Sequence, residues 1–355
     1  MTVVGAVTVR AAGWGIPPKM GCMESTQNGL IDQHGRVATD LRVSLTDRCN
    51  LRCEYCMPAE GLDWLPSEET LTDEELIRLI GIGVEMLGVR DVRFTGGEPL
   101  LRRSLPKIVA ETKALPSRPR TAMTSNGLGL KHMAKALAEA GLDRVNISLD
   151  TINRESFAKI TRRDRLPDVI EGLAAAREAG LKPVKINAVL LRGINDQDAP
   201  ELLRWCMDND YELRFIEQMP LDAQHNWNRE AMVTAGETLS LLGESFRLTP
   251  MDGRGSAPAE KFLVDDGPQT VGIIGSVTRP FCGDCNRVRL TADGQIRNCL
   301  FARDESDLRM ALRTGASDEV IADRWRTAMW AKLPGHGIND PAFLQPTRPM
   351  SAIGG

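Results

Sequence analysis

The sequence predicts an α/β protein, a partial (β/α)6 barrel followed by a smaller C-terminal α+β region. Three observations carry that reading. Six strand-like segments recur between Asp40 and Gln218. Segments of helical length separate them, the signature of parallel βαβ units with right-handed crossovers. After Pro220 the alternation stops. Six strands are too few for a complete eight-stranded barrel and enough for a partial one, while a doubly wound open sheet is the competing layout. Both place ligands at the C-terminal ends of the parallel strands.

In chain order, residues 1–36 are rich in glycine and small residues, contain Pro17-Pro18 and keep no period, which reads as a loose leader. The barrel region is expected over 37–220. Its first strand, Leu41 to Leu45, alternates apolar and polar residues as a strand with one face in a core should. Thr72-Asp73-Glu74-Glu75 is a capping box, opening a helix that carries Leu76, Ile80, Val84 and Leu87 at helical spacing. Further strands are expected near 89–94, 120–124, 144–149, 184–190 and 211–218, and helices near 103–115, 131–140, 166–180 and 197–208. In the region 221–340, segments 260–264 and 270–277 look like strands. Segment 287–296 looks like a hairpin turning at Asp293-Gly294, with helices near 305–313 and 317–331. The tail, 341–355, is proline-spaced and ends in Gly354-Gly355.

The chain has 355 residues, enough for more than one domain. Hydrophobic residues make up 42% and charged residues 26%, as in ordinary globular proteins. A net charge of −4 gives no reason to expect binding to nucleic acid or to an anionic membrane. No apolar run approaches the ~20 residues that span a bilayer, and Met1 to Pro18 lacks the pattern of a secretory signal. These features predict a cytoplasmic protein with reduced thiols, in which close cysteine spacing points to metal ligation.

Six of the eight cysteines fall into two sets of three. The first is Cys49-x3-Cys53-x2-Cys56; the second is Cys282-x2-Cys285 with Cys299 further along. A structural metal site fills four positions with protein ligands, whereas a catalytic one keeps a position open. Three thiolates can hold three irons of a four-iron cluster and leave the fourth iron for a small molecule. A zinc site borrowing a distant ligand, such as His34, is the alternative. Cys22 and Cys206 fit neither set and read as unligated thiols.

The first set, with Tyr55 before its last cysteine, resembles the signature of the radical S-adenosylmethionine (SAM) enzymes. The resemblance implies a TIM-like partial barrel of the radical SAM type and a [4Fe-4S] cluster on Cys49, Cys53 and Cys56. It also implies that SAM chelates the free iron and is split to a 5′-deoxyadenosyl radical. Thr95-Gly96-Gly97-Glu98-Pro99 is, taken alone, an ordinary turn, yet here it matches the superfamily motif for the SAM amino group. By the same matching, Tyr55, Gly97, Ser148 and Met219 would form the SAM site.

The second set, followed by Asn286-Arg287-Val288-Arg289-Leu290, resembles the GTP 3′,8-cyclase family, which opens molybdenum cofactor biosynthesis. The match also covers Asp40-Leu41-Arg42, Arg93, the Thr124-Ser125-Asn126-Gly127 turn, Lys185 in Val-Lys-Ile-Asn, and the terminal Gly-Gly; residues 1–36 lie outside it. It implies a second [4Fe-4S] cluster on Cys282, Cys285 and Cys299. GTP would be bound by Arg42, Arg93, Thr124, Lys185, Arg287, Val288 and Arg289, with catalytic roles for Arg289, Gly354 and Gly355. Arginine's planar fork suits phosphate, and no Gly-x4-Gly-Lys-Ser/Thr loop is present to hold it instead. The implied reaction abstracts H3′ of GTP and closes the C3′ radical on guanine C8, after which an electron and a proton quench the product radical to give 3′,8-cyclo-7,8-dihydro-GTP.

The implied partners are GTP, an electron donor such as flavodoxin or ferredoxin, and cyclic pyranopterin monophosphate synthase as the next enzyme. A homodimer is expected, with neither nucleic acid nor membrane. Two other readings stand beside this one. One is a different radical SAM enzyme acting on a peptide or small molecule through an auxiliary cluster. The other, from a different class, is a zinc-stabilised interaction protein.

Overall fold

The computed structural model describes residues 29–354. It begins with a two-stranded antiparallel ribbon of β1 (Leu30–Ile31) and β2 (Val37–Ala38). Residues 29–36 therefore depart from the expected leader. The Asp32 carboxylate accepts from the backbone of His34 and Arg36 and from the Arg36 side chain, closing a turn too short to show a period. The leader reading of residues 1–28, and the reading of Cys22, lie outside the described residues.

Six parallel strands follow: β3 (Asp40–Ser44), β4 (Asp91–Thr95), β5 (Arg120–Ser125), β6 (Arg144–Ser148), β7 (Val184–Val189) and β8 (Glu212–Ile216). Between them run α1 (Asp73–Gly81), α2 (Leu105–Ala114), α3 (Leu130–Glu139), α4 (Arg154–Thr161), α5 (Leu166–Glu178) and α6 (Ala199–Asp208). The capping box at Thr72 forms in full, and α1 runs on into a π turn at Ile82–Met86. Strand order follows chain order from β3 to β8. A doubly wound sheet would reverse its order part-way; this one curves as a partial barrel.

The C-terminal region contributes α7 (Ala235–Gly243), β9 (Leu248–Pro250), β10 (Glu260–Val264), β11 (Thr270–Ile274), β12 (Arg287–Leu290), β13 (Gln295–Arg297) and β14 (Ser306–Asp307). The last helices are α8 (Arg309–Arg313), α9 (Asp318–Trp330) and α10 (Met350–Ile353). These strands do not make a layer of their own. β11 pairs in parallel with β8, and β12 pairs in parallel with β3, so the C-terminal region extends the sheet at both edges. The full order is β14-β13-β12-β3-β4-β5-β6-β7-β8-β11-β10-β9, an open sheet of twelve strands.

Three elements differ from the sequence expectation. The helix expected near 305–313 is split into β14 and α8. Helix α4 was not expected, although Asn153 caps it by accepting from Glu155 and Ser156. Helix α7 opens with Thr234 and Glu237 in the same capping box as Thr72. Among the described residues no helix is long and apolar enough to cross a membrane.

Successive side chains of a strand point to opposite faces. Leu41, Val43, Val92 and Phe94 are fully buried in the apolar core, whereas the intervening Arg42 and Arg93, paired in register, line the barrel interior. Trp325 of α9 is also fully buried; a Cβ on Gly83 would stand 3.2 Å from its ring and 3.5 Å from Leu41. Trp325→Ala is expected to cost about 3–5 kcal/mol of stability, measured by chemical denaturation; a loss below about 1 kcal/mol would mean that α9 is not a structural wall of the sheet.

Candidate active site

A cavity of about 580 Å³ lies between the inner face of β3–β8 and the C-terminal region. Seven cations line it (Arg42, Arg93, Arg144, Lys185, Arg214, Arg287 and Arg289) against two carboxylates, Asp40 and Asp150. Strand register explains the crowding: Arg289 stands beside Arg42, and Arg42 beside Arg93. Burial, then repulsion from Arg93 and Arg289, holds Arg42 well below the usual arginine range. Burial likewise pulls Arg214 and Arg289 down to about 10 and Lys185 to about 8. Asp40 offsets only part of this, at 4.0 Å from Arg42 Nε and 3.7 Å from Arg93 Nη2. Arg42 Nε, Arg93 Nε, Asn146 Oδ1 and Asn187 Oδ1 are buried without a hydrogen-bond partner. Buried polar groups in folded proteins are paired, so two free guanidinium donors and two free amide acceptors suit a polar ligand, and the excess of cations favours an anionic one.

The first cysteine loop lies between β3 and α1, and close backbone packing holds it. Gly97 N donates to Thr46 O and Glu98 N to Arg48 O, both at 2.7 Å. A Cβ on Gly96 would meet Thr46 O at 2.4 Å, and one on Gly97 would meet Arg48 O at 2.2 Å. The glycine pair is thus required by the approach of the cysteine loop itself. Glu98 turns inward, accepting from Leu100 N, Ser125 Oγ and Asn126 N, while burial raises its carboxyl to about 7. Asn126 Nδ2 donates to Cys49 Sγ at 3.7 Å. Tyr55 donates to Asp150 at 2.8 Å, and Asp150 accepts from Val189 N, tying the loop to the ends of β6 and β7. The α4 C-terminus braces the other side, through Arg52 N to Thr161 O and Glu54 N to Ile160 O.

Cys282 and Cys285 lie in and just after a single 3-10 turn at Cys282–Asp284. They and Cys299 line the cavity with the cations. Arg287 lies over the Phe281 ring at 4.8 Å and donates to Cys285 Sγ at 3.7 Å. Burial raises the thiols of Cys49, Cys53 and Cys282, and lifts Cys56 to about 12. At Cys285 burial acts in the same direction, but Lys332 and Arg287 outweigh it and the thiol is lowered.

Within each set the thiols are close enough to oppose one another's ionisation. Three thiols in each set suit a four-iron cluster, where each sulfur takes a different iron and one iron is left open.

The C-terminal tail packs against the ends of β3 and β4. Arg348 pairs with Asp293 at 2.7 Å and Glu305 at 2.9 Å, anchoring α10. Beyond it Gly354 is buried with φ of 87°, its carbonyl accepting from Arg289. A Cβ there would meet Ser44 Oγ at 2.4 Å and Thr95 Cγ2 at 2.9 Å, so only glycine threads this gap.

Two family models match the chain: the Radical SAM superfamily over residues 43–206 and Molybdenum Cofactor Synthesis C over residues 211–338. A GTP 3′,8-cyclase of Streptomyces coelicolor is 64% identical, across 92% of this chain and 96% of its own length. The chain belongs to the GTP 3′,8-cyclase family of radical SAM enzymes. A family member from Mycobacterium sp. (strain KMS) is 59% identical across 100% of this chain and 99% of its own. Among solved structures, Streptococcus suis SuiB aligns over 86% of this chain and 68% of its own with a TM-score of 0.57 at 15% identity. The form bound to S-adenosylmethionine aligns over 77% of this chain and 64% of its own, with a TM-score of 0.55 at 15% identity. Those two likenesses bear on the fold alone. The family's cofactors are SAM and [4Fe-4S] clusters.

Of the residues singled out in the sequence, Tyr55, Ser148 and Met219 line the cavity. Arg42, Arg93, Thr124, Lys185, Arg287 and Arg289 line it with Cys282, Cys285 and Cys299. Cys49, Cys53, Cys56 and Gly97 belong to the adjoining loops. The Val288 side chain is fully buried in the apolar core, on the opposite face of β12 from Arg287 and Arg289. Gly355 lies outside the described residues. Arg144, Asn146, Asp150, Asn187 and Arg214 line the cavity but were not singled out. A period-two signal could have found three of them: Arg144 and Asn146 alternate with Ser148, and Asn187 lies two residues beyond Lys185.

Gly97→Ala is expected to push the cysteine loop away from β4 and lower bound iron from about eight to about four atoms per chain, read by elemental analysis. Full iron loading in that variant would mean the loop can move aside.

Proposed function

We propose that the cavity is the active site for cyclisation of GTP, with SAM held at the Cys49/Cys53/Cys56 side and the nucleotide at the Cys282/Cys285/Cys299 side. One observation carries this reading. A single cavity is lined by Tyr55, Ser148 and Met219, by the second cysteine set and by seven cations. Cys49, Cys53 and Cys56 would hold a cluster that with SAM would supply the 5′-deoxyadenosyl radical, and Cys282, Cys285 and Cys299 would hold a second that would leave an iron open to the guanine.

This chain's residues do the rest. Arg42, Arg93, Lys185, Arg287 and Arg289 neutralise a triphosphate, each charge-assisted hydrogen bond contributing roughly 1.5–3 kcal/mol. By holding base and triphosphate together, these residues would fix the ribose and guanine of GTP in one conformation, which favours closure between its C3′ and its C8. Gly354 fixes the Arg289 guanidinium by accepting from it. Leu221, Phe301 and Ile353 form an apolar cluster with Met219 and Met350 packed against it, which keeps water from a radical intermediate.

The reading carries with it a flavodoxin- or ferredoxin-type electron donor, with cyclic pyranopterin monophosphate synthase taking the product. A cytoplasmic location accords with the free thiols of all seven described cysteines. A homodimer rests on the family resemblance alone.

Anaerobically reconstituted protein given SAM, reductant and GTP is expected to form 3′,8-cyclo-7,8-dihydro-GTP; SAM cleavage without cyclised nucleotide would sink the reading. Arg289→Ala should lower GTP turnover by about 100-fold, as loss of one charge-assisted contact predicts, and unchanged kinetics would remove it from the site.

Lys185 provides a pH test. Burial, and then Arg214, holds it near 8 in the free site, and bound phosphate must raise it. GTP binding therefore takes up a proton above that value, so affinity is constant below pH about 8 and falls as pH rises through it. Calorimetry is expected to show this decline and its disappearance in Lys185→Arg. An affinity that stays constant up to about pH 9.5 would dissociate Lys185 from the phosphates.

A further inference from the structure

Lys332, just beyond the end of α9, is 2% exposed. Its ammonium has three hydrogens and three acceptors: Arg287 O at 2.9 Å, Cys285 O at 3.2 Å and Cys285 Sγ at 3.4 Å. Among the described residues none of the ion pairs includes it. A buried ammonium is costly without a compensating anion, and two of its three acceptors are neutral carbonyls. Among its three hydrogen-bond partners in the described residues, only the sulfur can carry negative charge. The next two residues are fastened to the same loop. Arg36 donates to Leu333 O at 2.6 Å, to Pro334 O at 2.9 Å and to Cys282 O at 2.7 Å. Both cysteines of the turn are therefore gripped from behind, Cys282 through its carbonyl and Cys285 through its sulfur.

We propose that Lys332 is a positioning residue for the second cluster, its buried ammonium hydrogen-bonding the Cys285 sulfur and balancing the charge of the thiolate-ligated irons. The proposal rests on the reading that Cys282, Cys285 and Cys299 hold a four-iron cluster. Such a cluster becomes more negative on reduction, and hydrogen bonds and charge at its sulfurs set its potential. A fixed cation there favours the reduced state, and Arg287, which reaches the same sulfur at 3.7 Å, is the weaker partner.

The test uses the full chain, reconstituted anaerobically, with a redox titration followed by electron paramagnetic resonance in the presence and absence of GTP. About eight irons with matching sulfide in the unsubstituted protein establish the two clusters, and the step that responds to GTP belongs to the second. In Lys332→Met that step is expected at a lower potential by about 59 mV or more, a tenfold change in the one-electron equilibrium. Lys332→Arg should restore most of the difference. Selective loss of about four irons from Lys332→Met, recovered in Lys332→Arg, also supports the proposal. A fully loaded Lys332→Met with an unmoved step overturns it. Should Lys332→Met not fold, Lys332→Gln keeps donors without charge and must show the same downward shift; a wild-type potential there overturns the charge role. About two zincs without sulfide in the unsubstituted protein would instead overturn the cluster reading, and the proposal with it.

Discussion

The parallel pairing of β12 with β3 is the contact on which the rest of the site depends. It sets Arg289 beside Arg42 and, through β4, beside Arg93, three guanidiniums abreast inside a barrel. Like charges at that spacing repel, and burial removes the water that would screen them. The structure tolerates the arrangement because the other face of the same strands is fully apolar, with Leu41, Val43, Val288 and Leu290 sealed in the core. Binding energy is held in reserve: a polyanion entering the cavity relieves repulsion that folding has already imposed.

Buried carboxylates fix the loops around that cavity. Glu98 gathers the Gly-Gly turn and the Ser125–Asn126 turn around the first cysteine loop. Glu217, at the end of β8, accepts from Ala235 N, Val277 N and Thr278 N at 2.7–2.9 Å, and so pins the C-terminal region onto the barrel. Asp150 joins Tyr55 to the β7 end. Each offsets its desolvation with several hydrogen bonds from the chain, so the mouth is rigid before any ligand arrives. Glycine has a matching role: at Gly97 and Gly354 the backbone passes where no Cβ fits.

Much of this was legible in the residues. Six strands, the helices between them and both cysteine sets follow from periodicity and spacing, which are local properties. The cations at Arg42, Arg93, Lys185, Arg287 and Arg289 were recognisable through a family resemblance and all face one cavity. A motif names consecutive residues, whereas a strand turns alternate ones away, so the Val288 side chain faces the core while Arg287 and Arg289 line the cavity. Helix α7 was missed although Thr234 and Glu237 repeat the capping signal read at Thr72; α4 and the β1–β2 ribbon are too short for period to reveal.

The sequence by itself determined the chemistry of this protein: two incomplete thiolate sets, a glycine-rich turn and an excess of cations near strand ends. Those depend on side-chain type and on distances along the chain, so no fold is needed to read them. Only the tertiary structure decided that the C-terminal strands join both edges of one sheet, that Arg144 and Arg214 complete the cationic wall, and that Lys332 reaches the Cys285 sulfur. Each of these is a meeting of residues far apart in the chain, and strand register and helix packing set it. Pairing partners leave no periodic trace in a sequence, because the same β-strand pattern would satisfy either edge of a sheet.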